Sequence, residues 1–212
     1  MAIYSLKRSY QLKDLQEVDF RDLWGDHGIF TTMWIFGNPA KILFFKKHIK
    51  NLIKSLKIYG IKKRSLHKDI LKIINKNLSR KVSYNHLLRV AVNKKIISIS
   101  LRKRVSPKLN FNLKLVGLKR EKPQYKNLRY KKILLYLTKM DNSKSDIGLV
   151  YKKKILETGT SNLLFVKNDK IYTPLKGYYE GNTFKFFKNK IKKMIKKNIF
   201  VKDLKNYDEI LL

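Results

Sequence analysis

Residues 157–174, ETGTSNLLFVKNDKIYTP, place the tightest local restriction on how this chain can fold. A Gly/Ser/Thr/Asn loop leads into the apolar run Leu163 to Val166. A polar turn follows at Lys167-Asn168-Asp169-Lys170, and a second short run returns at Ile171-Tyr172. Two short apolar runs around turn-forming residues predict a β-hairpin. One carboxylate, Glu157, stands at its entrance. Asp and Glu total only 15 in 212 residues, so an acid beside a polar loop is a stronger signal here than in an average chain.

The rest of the chain alternates helix and strand periods. Residues 41–60 read as a strand and then a helix, with Ile49, Leu52, Ile53 and Leu56 on one face and Gly60 as its stop. A second helix is expected from Ser65, as N-cap, to Leu78, with Leu66, Ile70, Ile73 and Ile74 turned inward. Two strands, Leu87 to Val92 and Ile96 to Leu101, flank the turn Asn93-Lys94-Lys95. Arg102 to Gln124 contains Pro107, Pro123 and a strand-like Phe111 to Leu118, and it reads as an interdomain crossing. A helix is expected over Lys126 to Lys139, a polar loop over Asp141 to Asp146, and a strand at Ile147 to Tyr151. The pattern Phe184, Phe187, Ile191, Met194 predicts a last helix over Thr183 to Asn198. The expectation is an α/β (α+β) chain in two lobes: 1–106, a joining segment 107–125, and 126–212.

Composition removes several function classes. Without cysteine there are no disulfides, thiolate metal sites or cysteine nucleophiles. No His/acid spacing suggests a metal, and His27 and His48 read as polar structural residues. Met1 to Lys13 mixes charges with apolar residues, unlike a signal peptide, and the uncharged stretch Gly28 to Ala40 is too short to span a bilayer. The expected setting is cytoplasmic. The net charge of +35 invites a nucleic-acid reading, but 41 of the 50 basic residues are Lys and nine are Arg, spread from end to end. Arginine makes the bidentate phosphate and base contacts, so its scarcity argues against nucleic acid as a partner. Ala occurs only at Ala2, Ala40 and Ala91, a skew that an A/T-rich genome would impose through its codons.

Several segments, taken in order, resemble the class IV aminotransferase family of pyridoxal-phosphate (PLP) enzymes, fold type IV. Gly25-Asp26-His27-Gly28-Ile29-Phe30-Thr31-Thr32 is similar to its Gly-Asp-Gly-Val-Phe-Glu-Thr motif, and Thr31-Thr32 is closer to the aminodeoxychorismate lyase branch. The helix near His48 resembles the family's His-x-x-Arg-Leu helix, and Lys126-Asn127-Leu128-Arg129-Tyr130 its lysine-bearing segment. Glu157 to Pro174 resembles the ring-binding segment, and Gly181-Asn182-Thr183 the phosphate-binding one. The resemblance implies a small N-terminal α/β lobe and a larger strand-rich C-terminal lobe. It makes Lys126 the lysine that links to the cofactor and acts as general base, and Glu157 the carboxylate on the pyridine nitrogen. Asn182 and Thr183 would meet the phosphate; Phe30 and Thr32 would line the substrate pocket. Thr31 and Thr32 alternate in direction on a strand, so at most one of them faces that pocket.

Two departures accompany the resemblance. The family's phosphate arginine, three residues after the helix histidine, is Asn51 here; Lys47, Lys50 and Lys54 are the nearby cations that could substitute. The Asp-Glu-hydrophobic run Tyr207 to Leu212 resembles a family strand after which other members continue, so the C-terminal lobe is expected to be short of further strands. The implied activity is 4-amino-4-deoxychorismate lyase, releasing pyruvate and 4-aminobenzoate for folate synthesis. The rivals are a branched-chain or D-amino-acid transaminase, and a catalytically silent or truncated relative. A small-molecule amino substrate and a homodimer are implied by the same resemblance.

Overall fold

The computed structural model describes residues 4–191 and 193–212. The first residues of the Met1 to Lys13 segment, and Lys192 within the expected last helix, lie outside the described residues. The chain divides into two units: Met1–Arg104 with Lys126–Lys131, and Val105–Tyr125 with Lys132–Leu212. Among the described residues no helix is long and apolar enough to cross a membrane.

The first unit is built on one antiparallel sheet. Its elements are β1 (Tyr4–Gln11), β2 (Glu17–Val18), β3 (Gly28–Gly37), β4 (Lys41–Ile42), α1 (Phe45–Ile58), α2 (Leu66–Asn77), β5 (Tyr84–Asn93) and β6 (Ile96–Lys103). The strand order is β2-β1-β6-β5-β3-β4. Side chains alternate across a strand, so Ile29, Thr31, Met33 and Ile35 share one buried face of β3, and α1 packs against that strand. From α1 Ile49, Leu52 and Leu56 are buried, and from α2 Leu66, Ile70, Ile73 and Ile74. Burying each such side chain stabilises by about 1.5–3 kcal/mol. The expected fourth inward residue of α1, Ile53, is only half-buried. Gly60, at φ +71, follows the end of α1 as anticipated.

Ser65 occupies the N-cap of α2 but makes no cap bond. Its hydroxyl donates instead to Asp69 Oδ2 at 2.8 Å, which Lys63 also holds at 2.9 Å. Capping needs an extended backbone at this position, so that the hydroxyl oxygen can accept an N–H, and Ser65 is helical at φ −78 and ψ −2.

The second unit carries β7 (Asn112–Val116), α3 (Lys131–Leu137, from the unit boundary), β8 (Ser145–Tyr151), β9 (Lys154–Thr158), β10 (Leu164–Lys167), β11 (Lys170–Pro174), α4 (Asn182–Lys188), β12 (Met194–Lys197) and β13 (Glu209–Leu211). One sheet has the order β7-β8-β9 and the other β12-β11-β10-β13. Ile155, Leu163, Phe165 and Ile199 form a buried core, with Leu113, Tyr172, Leu204 and Tyr207 packed around it.

The hairpin read from residues 163–173 forms as β10 and β11, with Phe165 opposite Tyr172 and the turn residues Asn168 and Asp169 at φ 48 and 57. Two helices differ from expectation. The helix over Lys126 to Lys139 is confined to α3, because residues 126–128 pair with β3 instead. The helix over Thr183 to Asn198 stops at Lys188. Of its proposed stripe Phe184 is buried, whereas Phe187 is 49% exposed, so a longer helix has little apolar surface to bury. Met194–Lys197 gain ladder hydrogen bonds by running parallel to Ile171–Pro174. Glu157 lies within strand β9, which the sequence reading did not anticipate.

Candidate active site

In the first unit the site grows from the edge of β3. Phe30 N–H donates to Lys126 O at 2.8 Å, and Leu128 N–H to Gly28 O at 3.0 Å, which fixes residues 126–128 as a short strand-like pairing. Gly28 permits it: a Cβ there would lie 2.3 Å from Val92 O and 2.7 Å from Leu128 Cδ1. This glycine answers a close backbone approach and not a turn. Gly25, at φ +94, does turn the chain, and its N–H reaches Leu128 O at 2.8 Å.

This pairing sets the half-buried Lys126 beside Phe30, with Nζ 5.2 Å from the ring centroid. Phe30 meets Trp24 and Tyr130 edge-on, at 4.7 and 5.6 Å. Trp24 in turn lies under the Arg89 guanidinium at 4.2 Å, and Arg89 is ion-paired with Asp22. Thr32 is half-buried, on the face of β3 that Phe30 shares, and is in register with Arg89 of β5.

Thr31 points the other way. It is buried, and its Oγ1 lies 2.7 Å from His48 Nδ1 on α1. Burial, and secondarily the positive charge of Lys126, lower the His48 pKa from 6.5 to about 4, so the imidazole is neutral at pH 7. Asn51, one turn further along α1, is half-buried.

In the second unit, Glu157 is 3% exposed near the end of β9. Arg120 donates through Nε to Glu157 Oε1 at 2.9 Å, and the Tyr179 N–H donates to Oε2 at 3.3 Å. Burial raises the Tyr179 hydroxyl pKa, and the charge of Arg120 acts in the opposite sense. Asn162 Nδ2 donates to Tyr179 O at 2.6 Å, and Asn162 Oδ1 accepts the Gly181 N–H at 3.1 Å. The loop between β9 and β10 is held from below by Asp146, whose Oδ2 accepts the Thr160 hydroxyl at 2.7 Å and its N–H at 3.2 Å. Asn182 is buried and Thr183 exposed at the start of α4.

Phe30, Thr32, Asn51 and Lys126 therefore belong to the first unit, and Glu157, Asn182 and Thr183 to the second. The sequence reading missed Arg120, Asn162 and Tyr179. Arg120 left one signal: with nine arginines against 41 lysines, each arginine marks a place where a fork-shaped cation is wanted. Among the described residues no three His, Asp or Glu side chains are grouped as a metal site.

The profile of the amino-transferase class IV family matches residues 28–212. A candidate 4-amino-4-deoxychorismate lyase from Haemophilus somnus is similar in structure, with 24% identity, TM-score 0.63, and 87% of this chain and 94% of that one covered. The branched-chain aminotransferase from Thermoproteus uzoniensis, solved with norvaline, gives 14% identity and TM-score 0.73 over 96% and 82%. A hypothetical aminotransferase from Mycobacterium tuberculosis, in its PLP-bound form, gives 14% and 0.70 over 98% and 86%. At these identities the structural likenesses speak for the fold alone. No match was found among curated proteins. The family match spans most of the sequence and both units: the chain belongs to the class IV aminotransferases, a family of pyridoxal-phosphate enzymes.

Proposed function

We propose that the protein is a PLP-dependent 4-amino-4-deoxychorismate lyase, with Lys126 as the catalytic lysine and Glu157 as the carboxylate facing the pyridine nitrogen. The observation that carries the cofactor part is the buried Arg120–Glu157 pair. Arg120 and the Tyr179 N–H hold one oxygen each of this buried carboxylate, which fixes an anionic acceptor of the kind a protonated ring nitrogen needs. When bound, PLP supplies the electron sink for negative charge at the substrate α-carbon.

The chain's own residues supply the rest. Lys126 Nζ takes the α-proton as the ring C–O bond breaks and gives it to the methylene carbon of the departing enolpyruvate, which leaves as pyruvate; its place beside Phe30 limits the water around it. Glu157 would hold a proton on the ring nitrogen, and Arg120 fixes the carboxylate in place through Oε1. Phe30 and Thr32 line the substrate pocket. The phosphate falls to Asn182, Thr183 and Asn51, since the Gly181 N–H is already used by Asn162. Asn51 replaces an arginine fork with a neutral amide, a loss of about 1.5–3 kcal/mol in phosphate contact. A homodimer, as is usual in the family, is part of the proposal and is checked by light scattering.

Thr31-Thr32 supports the lyase over a transaminase: where transaminases often have Glu-Thr, the glutamate position is Thr31, a neutral hydroxyl bonded to His48. Feeding aminodeoxychorismate alone tests this. Release of 4-aminobenzoate and pyruvate with no amino acceptor supports the lyase. Turnover only when an amino acid and an oxo acid are supplied together identifies a transaminase. No turnover and no visible band at saturating PLP identifies a silent relative.

A further inference from the structure

Glu157 is held at Oε2 by the N–H of Tyr179, a residue 22 positions later on a loop between β11 and α4. A 3.3 Å bond from a loop amide orients a carboxylate only if the loop itself is fixed. The Tyr179 carbonyl is gripped at 2.6 Å by Asn162 Nδ2, and Asn162 Oδ1 takes the Gly181 N–H at 3.1 Å. One side-chain amide thus clamps the loop from both sides of Glu180. A Cβ on Gly181 would lie 3.2 Å from Asn162 Oδ1, so the clamp is closely fitted. Asn162 itself lies five residues after Glu157, on the loop that follows β9, whose backbone is tied down by Thr158 Oγ1, an acceptor for the N–H groups of Thr160 and Ser161 at 3.1 and 2.7 Å. The Asn side chain offers both a donor and an acceptor in one short planar amide. Neither Ser nor Asp at this position could make both bonds with the same reach.

We propose that Asn162 is a positioning residue for Glu157, acting through the Tyr179 amide. The inference rests on the reading of Glu157 as the ring-nitrogen partner. Asn162 sets where the second carboxylate oxygen points, while Arg120 sets the first. Losing Asn162 leaves Glu157 buried and ion-paired but free to rotate about its side-chain torsions, so the ring-nitrogen contact weakens without loss of the pair.

The test uses the full chain. PLP affinity is measured by visible absorbance, and the exchange protection of the 179 and 181 amides is measured without cofactor. Asn162→Ala is expected to weaken PLP binding about 10- to 100-fold, the range seen when a group that orients a direct ligand is removed, and to expose both amides to exchange. Thr173→Val removes another buried hydrogen bond of the same unit, Thr173 Oγ1 to Leu163 O at 3.1 Å, and serves as the comparison for a merely structural loss. It is expected to keep wild-type PLP affinity. If Asn162→Ala does not fold, Asn162→Asp decides: it keeps the acceptor for Gly181 and loses the donor to Tyr179, so affinity should fall while the 181 amide stays protected. Wild-type affinity in the folded Asn162 variants, or an equal loss in Thr173→Val, overturns the role of Asn162. A wild-type chain that binds no PLP overturns the reading of Glu157 itself.

Discussion

Arg120 Nε lies 2.9 Å from Glu157 Oε1, with side-chain exposures of 5% and 3%. Burying two charges costs several kcal/mol each in lost hydration, and their attraction recovers that only while both are present. Arg120→Met should therefore destabilise the chain by about 3–5 kcal/mol in urea unfolding. Arg120→Met combined with Glu157→Leu should recover most of that stability and still abolish PLP binding. A single variant that unfolds like the wild type would mean that water reaches the pair.

Lys126 is one lysine among 41, and its position along β3 separates it from the others. Borohydride reduction of the PLP complex should label the Lys126 peptide alone. Lys126→Ala should lose about 100- to 10,000-fold in turnover, the usual contribution of a general base. Lys132→Ala, on an exposed position of α3, should retain both label and turnover.

His48 gives the fold an acid sensitivity. Its folded pKa is about 4 against an ordinary 6.5, so between these values the unfolded chain binds more protons than the folded one. Stability from this group is complete above pH 6.5 and declines as pH falls towards 4, by on the order of 2 kcal/mol given its partial exposure. His48→Gln should flatten that part of the stability–pH curve. A curve unchanged by the substitution would assign the acid sensitivity to another group.

In the proposed site Asn51 takes the place of the phosphate arginine. If the phosphate sits there, Asn51→Arg should tighten PLP by about 1.5–3 kcal/mol, or about 10- to 150-fold, in the absorbance titration. Pyridoxal, which lacks the phosphate, should bind the variant and the wild type equally. Equal tightening of both ligands would place the phosphate elsewhere.

The two hairpins of the second unit show how local chemistry limits what can be read. Both turn through consecutive residues of positive φ: Asn168 and Asp169 between β10 and β11, Lys152 and Lys153 between β8 and β9. Asn and Asp favour that conformation and announced the first turn. Lysine does not, so in a chain with 41 lysines the second turn leaves no comparable mark in the sequence. β9 was missed with it, and so was the fact that Glu157 lies within a strand.

The sequence by itself determined the features that depend on neighbours along the chain. The apolar faces of α1 and α2 follow from period 3.6, the β10–β11 hairpin from its turn residues, and the family from motifs in order. The tertiary structure decided what depends on distant partners. Residues 126–128 left their helical pattern because the backbone of Gly28 and Phe30 offered hydrogen bonds. Met194–Lys197 became a strand because β11 had an open edge. Arg120, 37 residues before Glu157, turned an acid by a loop into a buried, oriented carboxylate. Local propensities amount to less than about 1 kcal/mol per residue, so paired backbones and buried charges override them wherever the fold brings such groups together.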